Sequence, residues 1–162
     1  MSTQAFVTQL AYTHFALHRN LGGLSHDDSL RSPEPGGNCL NWVVGHVVAT
    51  RSHWLRELGR PGLLPMAVEE RYRRGSAPID GAEGAEPLEA LVAAFDRGQE
   101  ELTAALPAMT GEQLAGPAPF SPGNDPAETW HSLTAGLLFH EAYHVGQTGV
   151  LRRLLGRPGA IR

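Results

Sequence analysis

Apolar residues recur every three or four positions in four long stretches of the chain, which Gly and Pro separate. The first stretch runs from about Ser2, a candidate N-cap, to about Leu21, and the second runs from about Asn38 to Leu58. Residues three and four apart share one face of a helix, so this spacing predicts amphipathic helices with one buried side.

The third and fourth stretches complete the pattern. The third opens near Pro87 and ends at Pro107, while the fourth begins at Asp125, with Pro126 and Glu128 as further start signals. The fourth helix should extend for roughly 30 residues, or about 45 Å. Because no stretch alternates with period two over a useful length, we predict an all-α four-helix bundle that occupies residues 1–162 as a single domain.

Two long connections follow the second and third predicted helices. Residues 59–86 and 110–125 are rich in Gly and Pro, with a helical turn or two expected around 66–72 and a short helix near Glu112. Connections of this length in a small domain usually serve as covers over a site or as mobile insertions.

A histidine pair lies in the middle of the fourth helix. His140 and His144 stand four apart, so their side chains leave the helix only about 40° from each other. Leu133, Leu137 and Leu151 fall on nearly the same face, and the pair therefore interrupts an apolar stripe. Buried imidazoles need partners, which either core hydrogen bonds or one shared divalent ion would supply.

His46, in the second helix, is the candidate third ligand, because metal sites in bundles take ligands from facing helices. The alternative is a histidine at the edge of the core that donates to a backbone carbonyl. Three neutral protein ligands leave coordination positions open, as in catalytic sites. Imidazole suits several divalent ions, so zinc or nickel, and after them iron or manganese, are the candidate metals.

Three other side chains are candidates for a role near the pair, and a fourth, Glu141, is not. Gln147 either orients a ligand or makes a structural bond, and His53 either lines a pocket or lies at the surface. Arg51 falls within an apolar stripe, so it either pairs with an acid or reaches a pocket to hold an anionic group. Glu141 is expected off the ligand face, solvated or salt-bridged. No catalytic residue is assigned beyond the metal ligands.

The remaining histidines give weaker signals. His14 and His18 form a second pair four apart on the first helix, and they could face the cavity, although His18 beside Arg19 looks solvated. His26 is expected in a polar loop. His131 should point away from the pair, because it lies about 180° round the helix from His140.

Composition excludes several functional classes. The net charge of −4 gives no electrostatic footprint for nucleic acid or an anionic membrane. All 13 basic residues are arginine, which removes Schiff-base and lysine general-base chemistry. The single cysteine, Cys39, excludes an internal disulfide framework and a cysteine-rich zinc site. No signal peptide or membrane span is visible, so a cytoplasmic location is expected.

Two motifs resemble those of the DinB/YfiT-like family. They are H-x-x-x-H-x-G-Q and the upstream W-x-x-G-H, represented here by His140, His144, Gly146 and Gln147 and by Trp42, Gly45 and His46. The resemblance covers essentially the whole chain. It implies a four-helix bundle, commonly a homodimer, in which three histidines hold one divalent metal, and these ligands map to His46, His140 and His144.

The resemblance also implies an activity. Characterised relatives include thiol-dependent S-transferases and a mycothiol-dependent isomerase, so we expect a metal-dependent transferase that joins a low-molecular-weight thiol to a small electrophile. The family name refers to induction by DNA damage, a stress response, which describes regulation and not chemistry. A hydrolase that uses metal-bound hydroxide and a non-catalytic, metal-stabilised bundle remain the alternatives.

The expected homodimer also has a candidate surface. Leu138 and Val145 lie about 140–160° round the helix from His140, which is too far to serve the same core. Apolar residues on the outer face of a bundle suggest an interface, and these two are therefore the predicted contacts between protomers.

Overall fold

The structure, a computed structural model, describes residues 2–33 and 36–161. Within these residues the chain forms seven α-helices and two short 3-10 turns. The 3-10 turns are Glu70–Tyr72 and Leu106–Ala108. The helices are α1 (Thr3–Leu21), α2 (His26–Leu30), α3 (Leu40–Glu57), α4 (Met66–Glu69), α5 (Leu88–Ala105), α6 (Gly111–Ala115) and α7 (Trp130–Leu154). Within the described ranges no strand occurs, and none of the helices is long and apolar enough to cross a membrane.

The four long helices form the bundle that the sequence predicted. Helix α1 packs against α7 and α5, and α3 packs against α5 and α7. Each contributes an apolar face to one continuous core, which includes Phe6, Leu10, Leu17, Val44, Trp54, Leu55, Leu91, Phe95, Leu102 and Leu133. The all-α fold is therefore confirmed, with the two long connections lying after α3 and α5.

A buried ion pair joins all four long helices at one level. Nε of Arg51 in α3 donates to Glu141 of α7 at 2.6 Å, and Nη2 donates to the other carboxylate oxygen at 2.8 Å. Arg51 also donates to the Phe95 carbonyl at 2.8 Å and to Gln99 at 3.1 Å, both in α5. Thr13 of α1 donates its hydroxyl to Glu141. Arg51 thus pairs with an acid, the first of its two predicted roles.

The connection between α3 and α5 is a structured cover over α3. Its Tyr72 and Ile79 are fully buried. The Tyr72 hydroxyl donates to Asn41 Oδ1 at 3.0 Å. The ring of Tyr72 lies so close to Gly45 that a Cβ at that position would come within 2.2 Å of it. Gly45 therefore allows the cover to close on α3.

The start of α7 differs from the prediction. The helix begins at Trp130, after an N-cap at Thr129, and has 25 residues instead of roughly 30. The predicted start at Asp125 is wrong because residues 116–118 pair with 128–130 in a short antiparallel contact. Such a contact keeps the backbone extended up to the N-cap.

Other boundaries lie close to their expected places. Helix α1 has its N-cap at Ser2, and α3 begins at Leu40, two residues after the expected Asn38. The short helices of both connections form where they were expected. The expectation of a polar loop at His26 is wrong, because a capping box at Ser25 starts the one-turn helix α2 there.

The predicted outer face of α7 is also corrected. Leu138 and Val145 are only 2% and 4% exposed. They are buried because α7 is packed on two sides, against α3 near the histidines and against α1 further round. The exposed large apolar residues of α7 are instead Phe139, Tyr143, Val150 and Leu154.

Candidate metal centre

Three histidines from two facing helices converge inside the bundle. His46 of α3 is 7% exposed, and the Nε2 atoms of His46 and His140 lie 3.0 Å apart. The ring centroids are 5.0 Å apart for His46 and His140, 4.8 Å for His46 and His144, and 4.4 Å for His140 and His144. One nitrogen from each ring lies within 4.8 Å of the others. The structure thus brings together the three predicted ligands.

The cover over α3 fixes the orientation of His46. Nδ1 of His46 lies 2.7 Å from the backbone carbonyl oxygen of Tyr72, which can only accept, so Nδ1 carries the proton. The ring also stacks on Trp42, with centroids 4.8 Å apart. Nε2 is therefore left with its lone pair and faces the other two histidines.

Gln147 fixes the orientation of His144 in the same way. Nδ1 of His144 lies 2.7 Å from Oε1 of Gln147, one turn along α7, and donates to it. This bond places the lone pair of His144 on Nε2 and gives Gln147 the orienting role that was one of its two predicted alternatives. His140 differs, since its Nδ1 is buried and has no hydrogen-bond partner among the described residues.

Burial keeps the three rings neutral at physiological pH. Burial, together with the nearby His144 and His46, lowers the pKa of His140 to about 4. Burial also lowers the pKa of His46 and of His144, against the opposing hydrogen bonds to Tyr72 and Gln147. Neutral imidazoles hold free lone pairs, which is the state that metal binding requires.

The donor set fits a divalent cation. With their protons on Nδ1, His46 and His144 each have a free lone pair on Nε2. A nitrogen of His140 lies close to a nitrogen of each of these rings. A neutral His140 carries one proton, which can lie between its Nε2 and that of His46, 3.0 Å away. That proton serves only one of the two lone pairs, whereas a cation meets a nitrogen of all three rings. A transition-metal ion is the species that three imidazole nitrogens hold best.

Two cavities of similar size meet at this cluster. The first has a volume of about 670 Å³ and is bordered by α3, by the cover with Met66, by the connection before α7 with Phe120, and by the start of α7. The second has a volume of about 690 Å³ and is bordered by the later part of α7, including Gln147. Both are lined by His46, His140 and Arg74.

Of the three remaining side chains, His53, Arg51 and Glu141, only His53 lines a cavity beside the cluster. His53 is exposed, lines the first cavity and packs on Phe120 with ring centroids 4.6 Å apart. Arg51 lines neither cavity, so its second predicted role, holding an anionic group in a pocket, is not the one observed. Glu141 is buried, 4% exposed, and is salt-bridged instead of solvated.

Sequence reasoning missed Tyr72 and Arg74. Tyr72 orients His46 through a backbone carbonyl, an interaction that leaves no side-chain motif in the sequence. Arg74 lies close enough to lower the pKa of His46 and His140 by its charge. The one signal was composition, since a tyrosine and three arginines fall together within an otherwise Gly- and Pro-rich connection.

Comparison with known proteins agrees with this architecture. The family model described as DinB superfamily matches residues 9–148. A crystal structure of a conserved protein from Enterococcus faecalis superposes with a TM-score of 0.72 and 18% sequence identity, covering 96% of this chain and 98% of that one. At this identity the likeness concerns the fold. No curated protein matches the chain.

Proposed function

Because this chain belongs to the DinB superfamily, we propose that it is a metal-dependent transferase that joins a low-molecular-weight thiol to a small electrophile. His46, His140 and His144 would hold one divalent ion, zinc or nickel ahead of iron or manganese. The observation that carries this proposal is the position of the three histidines at the junction of two cavities of about 670 and 690 Å³. Two such cavities suit two organic substrates.

The protein's own residues would prepare the site for this chemistry. A divalent ion supplies acidification of a bound thiol or water at neutral pH. The Tyr72 carbonyl and Gln147 hold two of the rings in the tautomer that presents Nε2. In the transfer, a sulfur–carbon bond forms at the electrophile and the thiol proton passes to solvent. With a chlorinated aromatic the carbon–chlorine bond breaks and chloride departs with its electron pair. With an epoxide the carbon–oxygen bond breaks and its oxygen takes up a proton.

The linings of the two cavities both combine apolar and polar side chains. The first joins an apolar wall to charged side chains, Arg56 and Glu69 among them. The second is lined mainly by apolar residues, and Tyr143 and Gln147 add polar groups close to the three-histidine cluster. Arg74 borders both cavities and would hold an anionic group of either substrate.

The second cavity favours a transferase over the alternative hydrolase. Hydrolysis by metal-bound hydroxide needs one organic substrate and water, so a single chamber would suffice. The decisive assay supplies the zinc- or nickel-loaded protein with a chlorinated aromatic or an epoxide and a panel of thiols. In parallel, esters and amides are offered without thiol. Thiol-dependent product supports the transferase, and ester or amide cleavage without thiol would replace it with the hydrolase.

Replacing His144 with Ala tests the ligand assignment and the non-catalytic alternative. We expect loss of metal and of turnover, with the helical fold retained, because the apolar helix faces carry the stability. The cavity left by the imidazole should cost about 1–3 kcal/mol. Circular dichroism measures the helical fold, and metal analysis measures the bound ion. The control is His53→Ala, which removes a cavity-lining histidine outside the cluster.

Each outcome of this comparison is informative. A His144→Ala protein that fails to fold would favour a metal that only stabilises the bundle. A variant that keeps its metal and full turnover would show that His144 is not a ligand. Loss of metal from His53→Ala as well would mean that His53 is a further ligand and that protein side chains close the site.

We also propose a homodimer, with a different surface from the predicted Leu138 and Val145. Phe139, Tyr143, Val150 and Leu154 form an exposed apolar stripe along α7, and Tyr143, Val150 and Leu154 border the second cavity. A second copy on this stripe would cover apolar area and narrow that cavity. Light scattering should give twice the chain mass, and Tyr143→Glu should give monomers. A monomer at micromolar concentration for the unmodified protein contradicts the proposal.

A further inference from the structure

A second group of potential metal ligands lies on the surface between α1 and α5. It consists of His14 and His18, four residues apart on α1, and Asp96 on α5. Nε2 of His14 lies 2.9 Å from Oδ1 of Asp96, and Nε2 of His18 lies 2.6 Å from the same oxygen. We infer that these three side chains form a second divalent-metal site, independent of the three-histidine cluster.

The two imidazoles are held in position before any ion arrives. The ring of His14 lies nearly parallel to that of Phe95, at an interplanar angle of 7° and a centroid distance of 5.5 Å. The His14 and His18 rings are 4.6 Å apart. Both histidines project from the same face of α1, and the carboxylate reaches them from the neighbouring helix, so the three donors need only small shifts to surround one cation.

The ligand set identifies the class of ion. Two imidazoles and one carboxylate bind zinc in open sites and non-haem iron in its facial arrangement, and they also suit cobalt and nickel. The negative charge of Asp96 distinguishes this group from the neutral three-histidine cluster. The purely structural alternative is a carboxylate oxygen that accepts two imidazole N–H bonds, which needs no metal and predicts different behaviour on substitution.

The proposed site is open to exogenous ligands. His14, His18 and Asp96 have side chains that are 32%, 40% and 41% exposed. A cavity of about 710 Å³ borders His18 and Asp96 and extends towards His26 and Glu89. With three protein donors, an ion here keeps free positions that face this cavity, as in sites that bind a small anion or water.

Metal at this position also acts on the bundle. The two ligand-bearing helices contact each other less extensively than α1 contacts α7, and the ion would join them directly. Since the ion binds the folded protein through residues 78 and 82 positions apart in the sequence, it should raise the melting temperature as its concentration increases. A clamp between α1 and α5 is thus the structural consequence of the site.

The test is a titration of the metal-free protein with Zn²⁺, in which binding is measured by calorimetry and by equilibrium dialysis with metal analysis. The unmodified protein should bind two equivalents, one of which His144→Ala removes. Asp96→Asn keeps an oxygen that accepts the imidazole N–H bonds but removes the charged ligand. It should weaken the second equivalent by at least about 100-fold, the upper loss seen when only an outer-shell partner is removed. Glu100→Gln, an exposed carboxylate on the same helix, is the matched control.

The outcomes separate this site from the proposed transferase centre. One equivalent that His144→Ala abolishes and Asp96→Asn leaves intact would overturn the second site and keep the first. One equivalent that Asp96→Asn abolishes and His144→Ala leaves intact would overturn the three-histidine site and keep the second site. Two equivalents in Asp96→Asn would show that Asp96 is not a ligand. If Asp96→Asn does not fold, His18→Gln in the same titration gives the same decision, with the visible spectrum of the Co²⁺-loaded protein as a second measurement.

Discussion

Replacing Arg51 with Met should be the most destabilising single substitution at a charged residue of the bundle. It removes the partner of Glu141, a residue that is 4% exposed and would retain only the Thr13 hydroxyl as a donor among the described residues. It also removes the hydrogen bonds to the Phe95 carbonyl and Gln99 and the stacking of the guanidinium on the Phe95 ring, 3.7 Å from its centroid. Met restores most of the lost volume, so the effect is mainly electrostatic.

The magnitude follows from the burial of the pair. Removing one member of a buried ion pair usually costs about 3–5 kcal/mol, because the other charge is left unpaired in a poorly solvated place. For a chain of this length each kcal/mol lowers the melting temperature by about 2–4 °C, so the expected decrease is about 6–20 °C. Urea denaturation and calorimetry on the metal-free protein measure both quantities.

An exposed ion pair provides the control. Arg60 and Glu101 are 2.9 Å apart, with side chains 40% and 41% exposed. Arg60→Met should cost no more than about 1 kcal/mol, since water screens both partners. If Arg51→Met costs no more than Arg60→Met, the ion pair does not hold the helices together as described. Combining Arg51→Met with Glu141→Leu should restore much of the loss, and a double variant as unstable as the single one would point to packing instead of charge.

Three further predictions concern the three-histidine cluster. The free energy of unfolding of the metal-free protein should fall as pH falls from about 6.5 towards 4. The reason is that His140 has a pKa of about 4 when folded, so that the unfolded chain takes up the proton at a higher pH. A melting temperature that does not change over this pH range contradicts the prediction. Gly45→Ala should destabilise the protein and weaken Zn²⁺ binding, since its Cβ would meet the Tyr72 ring at 2.2 Å. Gly146→Ala, which meets nothing within 4 Å, should be neutral or stabilising in the same melts. Arg74→Gln should raise KM for an anionic substrate more than it lowers kcat, and an unchanged KM would remove Arg74 from substrate binding.

The three-histidine cluster could be predicted because it follows from helix periodicity. His140 and His144 are placed by their spacing within one helix, and His46 needs only a facing helix in a four-helix bundle. The start of α7 could not be predicted in the same way. Asp125 and Pro126 form a strong local start signal, but the pairing of 116–118 with 128–130 is a contact between segments that no local pattern reveals.

The surfaces of α7 show a different kind of limit. Leu138 lies about 160° round α7 from His140, but this places it on the outside only if the helix buries a single face. Helix α7 contacts both α1 and α3, so a wide arc of its circumference is enclosed and Leu138 is buried. Which arc is left exposed depends on the packing of whole helices. The sequence also could not show which predicted alternative Arg51 adopts, because its acid, Glu141, lies 90 residues away.

The buried ion pair has a place in the function as well as in the fold. Glu141 directly follows His140 in α7, Thr13 directly precedes His14 in α1, and Phe95 directly precedes Asp96 in α5. The hydrogen bonds of Arg51 and Glu141 therefore fix the backbone beside both proposed metal sites. Ligand positions must be held to within a fraction of an ångström for tight binding. Arg51→Met should consequently weaken Zn²⁺ binding at both sites while leaving every proposed ligand in place, whereas Arg60→Met should weaken neither.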